Sequence, residues 1–575
     1  MRSTDEHALV PTLKRQLAER QIGRREFVRY ATLLGMAAPA AYAVASRITG
    51  EPLVSPVAAQ GSLPKGGTLR LAMRCQDLKG PHTYSWVESS NSARQVVDYL
   101  TVTGVDNITR PGLIEKWEPS PDLKTWTLRV RKSVKWHNGR QFTADDVVWN
   151  IKRVLDPKTG SSVLGLMKGF LLEDYETGEK DDKGNPKKSS RLWDANAIQK
   201  VDDFTVKLNG KTAQLAVPEQ LFHYPFLILD PAENGEFKVG SNGTGAFTLV
   251  ENEVGRRQVL KARKQPYWGG GPYLDQLEFI DLGDDPAASV AALASKQVDG
   301  LYGADIVQLE ALQKIPHVKM YQVITAYTAT ARMQPVKPFD DKRVRRALTL
   351  ALDRHEGSKV LSKIALIKEV AGIQVPGTPW ATPPAELEKL AGYGRDINAA
   401  RAEARRLLKE AGAENLTFTL LNRAVPQPYE PFGIWLIDQW RQVGITAKHN
   451  PLETAGWFAA LRGGDFEVAV TAPCNSIVEP DMDIHWFLAS SPVNYGKHRD
   501  TVMDDLYSRQ SRASDAEERR RLLRQFEKRL YDDEVHFIMG FQWHRIIPHL
   551  AKVRGWTITP SHFLNQQLDT VWLSD

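Results

Sequence analysis

The chain offers few residues whose type and spacing could do covalent chemistry. None of its 13 histidines forms an H-E-x-x-H pair, and no G-x-S-x-G elbow, C-x-x-C pair or Walker loop occurs. His536, His544 and His549 are separated by eight and five residues. That spacing does not place them on one helical face, so they read as structural histidines. Glu479, Asp481 and Asp483 flank Pro480 and form an acidic cluster. Two carboxylates can act as general acid and base on a glycosidic bond, but a turn with exposed carboxylates is the simpler reading. Gly243-Thr244-Gly245 has the look of a phosphate cradle. It runs into a strand rather than into a helix N-terminus, which is what would hold the phosphate. What remains is recognition. The chain holds 15 Trp, 16 Tyr and 19 Phe, and a surplus of Trp suits a cleft that encloses a ligand.

Composition bounds the class. The 575 residues are three to four domains' worth, with 42% apolar and 25% charged residues. That excludes a disordered tail, a collagen and a multi-span membrane protein. Two cysteines, Cys75 and Cys474, exclude a disulfide scaffold, a structural zinc cluster and a Cys-ligated iron–sulfur centre. No cofactor or metal is called for. The net charge is +6, and part of that excess sits in the first sixty residues. A nearly neutral body lacks the dense basic face that nucleic acid requires.

The N-terminus reads as an address. Gly23-Arg24-Arg25-Glu26-Phe27-Val28-Arg29 is followed by Ala31–Ala45, which carry no charge. Small-residue junctions follow at Ala41-Tyr42-Ala43, Ala43-Val44-Ala45 and Val57-Ala58-Ala59. A charged region, a short apolar run and small residues make an export signal. The paired arginines before Glu-Phe resemble a twin-arginine signal. Fifteen apolar residues are short for a membrane span, which takes about 20.

The elements that must position any binding groups alternate between strand and helix. Thr68–Met73, 126–130, 416–421 and 466–471 read as strands. Thr143-Ala144-Asp145-Asp146 has capping-box spacing and opens a helix through Val154 after the Asn138-Gly139 turn. Residues 341–363, 398–411, 432–443 and 516–531 read as helices, two of them ended by Gly412 and Gly444. The mixed-charge stretch 173–192 reads as a solvated loop. The pattern is that of an α/β protein with several sheets and no internal repeat.

Several motifs then point to one family. Leu113-Ile114-Glu115-Lys116-Trp117-Glu118-Pro119, Trp126-Thr127-Leu128-Arg129-Val130, Trp136-His137-Asn138-Gly139 and Phe142-Thr143-Ala144-Asp145-Asp146-Val147 resemble the signature of bacterial extracellular solute-binding proteins of family 5. Gly243-Thr244-Gly245-Ala246-Phe247, Pro266-Tyr267-Trp268, Pro338-Phe339-Asp340-Asp341 with Val344-Arg345-Arg346-Ala347, and Leu407-Leu408-Lys409-Glu410-Ala411-Gly412 follow in the family's order. The likeness covers roughly 62–575. The family comprises dipeptide, oligopeptide, nickel and opine receptors of ABC importers. It implies a two-lobe periplasmic-binding-protein fold with an extra inserted domain. The expected division is 1–60 signal peptide and linker, 62–100 first lobe, 101–194 inserted domain, 195–325 first lobe again, 326–540 second lobe and 541–575 a return to the first. The implied activity is capture and release of a solute, without catalysis, by a periplasmic monomer that serves a permease. A cleft enzyme such as a glycoside hydrolase, or a solute sensor without transport, is the alternative.

The resemblance also implies which segments face the ligand: Arg74, Cys75, Tyr84 and Trp86 after the first strand; Asn422, Arg423 and Gln427 after the strand 416–421; Cys474, Asn475 and Ser476 after 466–471; and Tyr327, with Arg332, in the crossover. Peptide-binding members place an Asp in the third segment for the peptide's ammonium, and Ser476 falls there. Dipeptide receptors use an Arg in the second segment for the ligand carboxylate; Arg423 fills that place in an ungapped alignment back from Gly444 and is preferred, and Gln427 fills it if Pro428-Tyr429-Glu430-Pro431 is matched instead. An Arg without that Asp implies an opine-like or modified ligand with a carboxylate and no free amino terminus.

Overall fold

The computed structural model describes residues 6–51, 63–84, 87–161, 163–167, 169–180, 186–472, 477–491, 493–513, 515–558 and 566–574. An eleven-stranded sheet runs through the molecule. At one end lie Phe247–Glu253, Arg257–Ala262, Gln276–Ile280, Thr68–Ala72 and Gly300–Leu301. At the other lie Val468–Thr471, Thr417–Arg423 and Thr446–Leu452. These ends are the sheets of two lobes. Two long antiparallel strands, Val318–Met333 and Phe537–Leu550, join them.

The joining strands change register between the two lobes. Val318–Ile324 pair with Leu550–His544, and Thr330–Arg332 pair with Met539–Phe537. Between Ile324 and Thr330 the register slips twice. Such irregularities interrupt the hydrogen-bond ladder and let a strand bend.

Short parallel units build each lobe. Thr417–Arg423 pairs in parallel with both Thr446–Leu452 and Val468–Thr471, and the helix Tyr429–Arg441 makes one crossover. That helix is pinned by Trp440, whose ring is buried and whose Nε1 donates to Leu348 O at 3.0 Å. Gly444 follows at φ 92°, a conformation that favours glycine. The core of this second lobe is aromatic, with Phe418 edge-on to both Phe339 and Trp440.

A separate antiparallel sheet holds Ile114–Pro119, Thr125–Val130, Thr205–Asn209 and Ile198–Asp202. Two of its strands, Ile198–Asp202 and Thr205–Asn209, follow residue 194 in the chain. The Asn138-Gly139 turn forms, with Gly139 at φ 87°. Thr143 N donates to Asp146 Oδ2 at 2.9 Å and starts the helix Ala144–Val154 as the capping spacing predicts. Two expectations are corrected. Within the stretch 173–192 the described residues form two paired antiparallel strands, Leu172–Lys180 and Pro186–Leu192. Cross-strand charge pairing such as Glu173 with Arg191 holds it, and its lack of an apolar face hid it from the sequence pattern. Residues 341–363 form two helices, because Asp353 caps a new one at Glu356 N.

The N-terminal segment is folded. Helices α1 (Val10–Ala18), α2 (Arg24–Leu33) and α3 (Ala38–Thr49) pack on one another and on the body. Phe27 to Leu33 are all buried. Among the described residues no helix is long and apolar enough to cross a membrane.

One buried histidine ties two segments of the molecule together. His82, fully buried, places Nε2 2.8 Å from Leu227 O and Nδ1 3.0 Å from Arg153 Nη1. Since Arg153 can only donate, Nδ1 accepts and Nε2 carries the proton, so the ring is neutral. Burial pushes its pKa down to about 3 from an ordinary 6.5. The unfolded chain therefore binds a proton that the folded one refuses between those values, and the contribution to stability is lost as pH falls below 6.5. His82→Gln is expected to be less stable than the natural chain at pH 7 but to lose less between pH 7 and pH 4, read by urea midpoints. Parallel acid sensitivity of the two chains would sink this assignment.

Candidate ligand-binding cleft

The strand ends of both lobes converge on a cavity of about 340 Å³, within the size range of small-ligand sites. The first lobe contributes Met73 and Arg74 after its first strand, Val87 and Glu88 at the start of a helix, and the loops 281–286 and 301–305. The second contributes Arg423 through Tyr429 after the strand Thr417–Arg423, Trp457 and Phe458 from a helix, and Thr471 and Ala472 at a strand end. Arg332, Trp543 and Arg545 come from the two joining strands.

Aromatic rings form much of the wall. Tyr429 stands edge-on to Trp457 at 5.3 Å between ring centres. Trp486, Tyr495 and Trp543 complete this wall. Three of the cavity's arginines, Arg423, Arg545 and Arg332, lie over aromatic rings. Arg423 lies 5.2 Å over Tyr429 and donates Nε to Thr454 Oγ1 at 2.9 Å. Arg545 lies 4.4 Å over Tyr302 and donates Nη2 to Tyr302 O at 2.6 Å. Arg332 is buried between Tyr495 and Phe537 and donates to Thr471 Oγ1 and Val493 O. Burial lowers its pKa to about 10, still far above neutral pH. Arg74 pairs with Asp284.

Among the described residues, several buried atoms around this cavity have no hydrogen-bond partner, including Glu88 Oε2, Gln427 Oε1, Trp457 Nε1 and Arg545 Nη1. Buried polar atoms ordinarily find partners, so these mark two acceptor and two donor positions for a ligand. Burial raises the Glu88 pKa, against the pull of Arg423, Arg545 and Arg74. Burial likewise raises Asp305, against Arg545.

The expected residues divide as follows. Arg74, Arg423, Gln427 and Arg332 line the cavity. Cys75 does not: its thiol is free, buried against Phe279 O at 3.4 Å, with its pKa pushed up to about 12 by burial. Tyr84 does not either, because its buried hydroxyl is spent on Leu78 O at 2.6 Å. Asn422 is buried behind the wall on Tyr429 O. Trp86, Cys474, Asn475 and Ser476 lie outside the described residues, and Tyr327 is described only as backbone within its strand. Glu88, Arg545, Asp305 and Trp457 were not expected. None belongs to a motif, and only the fold brings them together.

The acidic turn is a correction. Glu479, Asp481 and Asp483 are buried, not exposed. Arg519 pairs with Glu479 and reaches Asp481 Oδ1 at 3.2 Å, and Arg29 also pairs with Glu479. Glu479 and Asp481 are thereby committed to ion pairs, and none of the three carboxylates lines the cavity.

Comparison with known proteins agrees with this architecture. The model of bacterial extracellular solute-binding proteins, family 5, matches residues 109–495. The periplasmic oligopeptide-binding protein OppA of Escherichia coli K12 is 26% identical over 478 residues, covering 79% of this chain and 83% of the relative. A dipeptide-binding protein of the same organism is 26% identical over 506 residues, covering 80% and 86%. Among solved structures, the binding protein AgaA of A. tumefaciens R10 in complex with agropinic acid superposes with a TM-score of 0.74 at 21% identity, covering 88% of this chain and 99% of that one. Haemophilus influenzae OppA in complex with the peptide RPPGFSPFR gives 0.71 at 21% identity, covering 89% and 100%. These likenesses show the two-lobe fold. The chain belongs to the family 5 bacterial extracellular solute-binding proteins.

Proposed function

We propose that this family 5 member is the periplasmic substrate-binding component of an ABC importer. It captures a small polar solute, peptide-like or opine-like, between its lobes and hands it to a membrane permease as a monomer, with no bond made or broken. The observation that carries the reading is the interlobe cavity with unsatisfied buried donors and acceptors on an aromatic wall. Arg423 and Arg545 receive a ligand carboxylate, Gln427 and Trp457 receive its polar groups, and Arg74 borders the site. The segment Cys474–Ser476 and Trp86 belong to the same site by their place after strands of the family's pattern. Closure about the 324–330 slip encloses the solute.

The domain division follows: first lobe 62–100, 195–325 and 541–575, second lobe 326–540, with an inserted domain over 101–194. Export runs by the twin-arginine route, supported by Arg24-Arg25 ahead of Glu26-Phe27 and the uncharged run after them.

Native mass spectrometry of protein purified from the periplasm tests the reading. It is expected to show a protein carrying one small molecule that leaves on denaturation and bears a carboxylate. A preparation that binds no member of a library of peptides, opines and sugars, and that turns over a glycoside instead, would overturn it.

A further inference from the structure

The carboxylates and the cations of the cleft are unevenly placed. Glu88, Asp281, Asp284, Asp285 and Asp305 line the cavity, and all of them stand on the first lobe. Asp284 pairs with Arg74, Asp281 accepts from the backbone N–H of Cys75, and Asp285 accepts from that of Ala287. The charge of Glu88 bears on Arg423 and Arg545, and that of Asp305 on Arg545. Among the described residues no carboxylate pairs with Arg332, which is 2% exposed and reaches the cavity from the joining strand Val318–Met333.

The surroundings of Arg332 are neutral. Nε donates to Thr471 Oγ1 at 3.2 Å and Nη1 donates to Val493 O at 3.0 Å. The guanidinium lies 5.3 Å from the ring centre of Tyr495 and 4.9 Å from that of Phe537. The groups that bear on its charge are the phenols of Tyr495 and Tyr429, and a phenol is neutral near pH 7. His498 lies in the field of Arg332, and burial pushes its pKa down to about 3, so it is neutral too. Its ring stacks on that of His536, whose Nε2 is 3.0 Å from Asp500 Oδ2. Asp500 is itself committed to Arg529 at 2.6 Å. The two bonds of Arg332 fasten a strand end and a loop, which a neutral donor would also do. Its charge is left buried and uncompensated, an arrangement proteins avoid. Nη2 makes no hydrogen bond to a described residue, so the guanidinium keeps a donor for an anion in the cavity.

We propose that the solute is a dicarboxylate and that Arg332 holds its second carboxylate, the first being held by Arg423 and Arg545. The inference rests on the reading of the cavity as the solute site and narrows the substrate class of that site. Arg332 and Arg423 stand on strands separated by one other, Val468–Thr471, which puts their bases about 10 Å apart at a strand spacing of about 4.8 Å. Their guanidinium groups rest on different supports, Val493 and Phe537 for one and Thr454 for the other. Two cations anchored apart on a wall that carries no carboxylate among the described residues suit the two anionic ends of one small molecule. Each end then meets a guanidinium whose position is already fixed, which spares the ordering cost of binding.

Isothermal titration of the full chain with matched acids and amides tests the proposal. The probes are N-carboxyethyl amino acids and acidic dipeptides such as alanylglutamate. Each is set beside the two compounds in which one or the other carboxylate is replaced by its primary amide. For the best-bound diacid, either replacement is expected to weaken binding roughly ten- to a hundredfold, the worth of a hydrogen bond to a charged group. Arg332→Gln is expected to cost the diacid a similar factor. It should cost far less to the amide that already lacks the carboxylate facing residue 332. A merely structural Arg332 would weaken the diacid and both amides alike, and that result would overturn the proposal. If Arg332→Gln does not fold, the natural chain decides alone: a loss from only one of the two replacements means one carboxylate, not two. A chain that binds none of these probes but holds a neutral sugar loses the dicarboxylate alone. A chain that holds no solute at all loses the reading of the cleft with it.

Discussion

Arg519→Met is expected to lower the unfolding free energy by about 3–5 kcal/mol, the usual cost of removing one partner from a buried ion pair. The side chain is 4% exposed and lies 5.1 Å over Trp380. Its guanidinium joins Glu479, Asp481, Gln510 and Tyr30, which come from three separate stretches of chain. Methionine fills similar volume, so the loss reports charge and hydrogen bonding rather than a cavity. Asp481 would keep Gln214, Gln220, Gln510 and Ser511 as donors. Glu479 would keep Arg29 alone among its arginines. The cluster would then hold three carboxylates against one cation. Adding Glu479→Gln to Arg519→Met is expected to restore part of the loss, because the uncompensated charge goes with it. The urea midpoint should fall with little change in slope. A loss under about 1 kcal/mol would mean that water reaches the cluster, since exposed pairs are worth no more than that.

The cluster also explains what the sequence could and could not convey. The corner Trp136-His137-Asn138-Gly139 and the cap at Thr143 are local: the turn residue, the capping oxygen and the helix lie within ten positions. Such features are legible because their partners are neighbours. Glu479-Pro480-Asp481 is equally local as a helix start, and its N-cap role is visible in the residue order. Its burial is not, because that depends on arginines at 29 and 519. Likewise the apolar run after Arg24-Arg25 reads as an address, and nothing near it announces Glu219 as a partner for Arg29. In the cleft, Arg423 was reachable through a family motif at a strand end. Glu88 and Arg545 face the same cavity from opposite ends of the chain. Neither has a neighbour that distinguishes it from an ordinary surface charge.

Arg423 is expected to carry the largest single share of solute affinity. Truncating one side of a buried charge pair costs about 2–5 kcal/mol, so Arg423→Ala should weaken binding by roughly 30-fold to several thousand-fold. The fold should survive, because the partners of the side chain are Thr454 and the face of Tyr429, near the cavity rather than in the lobe core. Isothermal titration with the solute released on denaturation measures the loss, and an unchanged affinity would remove Arg423 from the site. Glu88→Gln then separates the two ligand classes. An opine-like solute without a cation gains or keeps affinity, since the amide removes a charge near its carboxylate. A solute with a free ammonium loses affinity by a comparable factor, since Glu88 Oε2 is a buried acceptor without a partner among the described residues. The pH dependence gives the same answer with opposite signs. Burial raises the Glu88 pKa, so this carboxylate is neutralised sooner than usual as pH falls. An ammonium held by Glu88 is released as pH drops through that raised value, whereas a purely anionic solute is held more tightly.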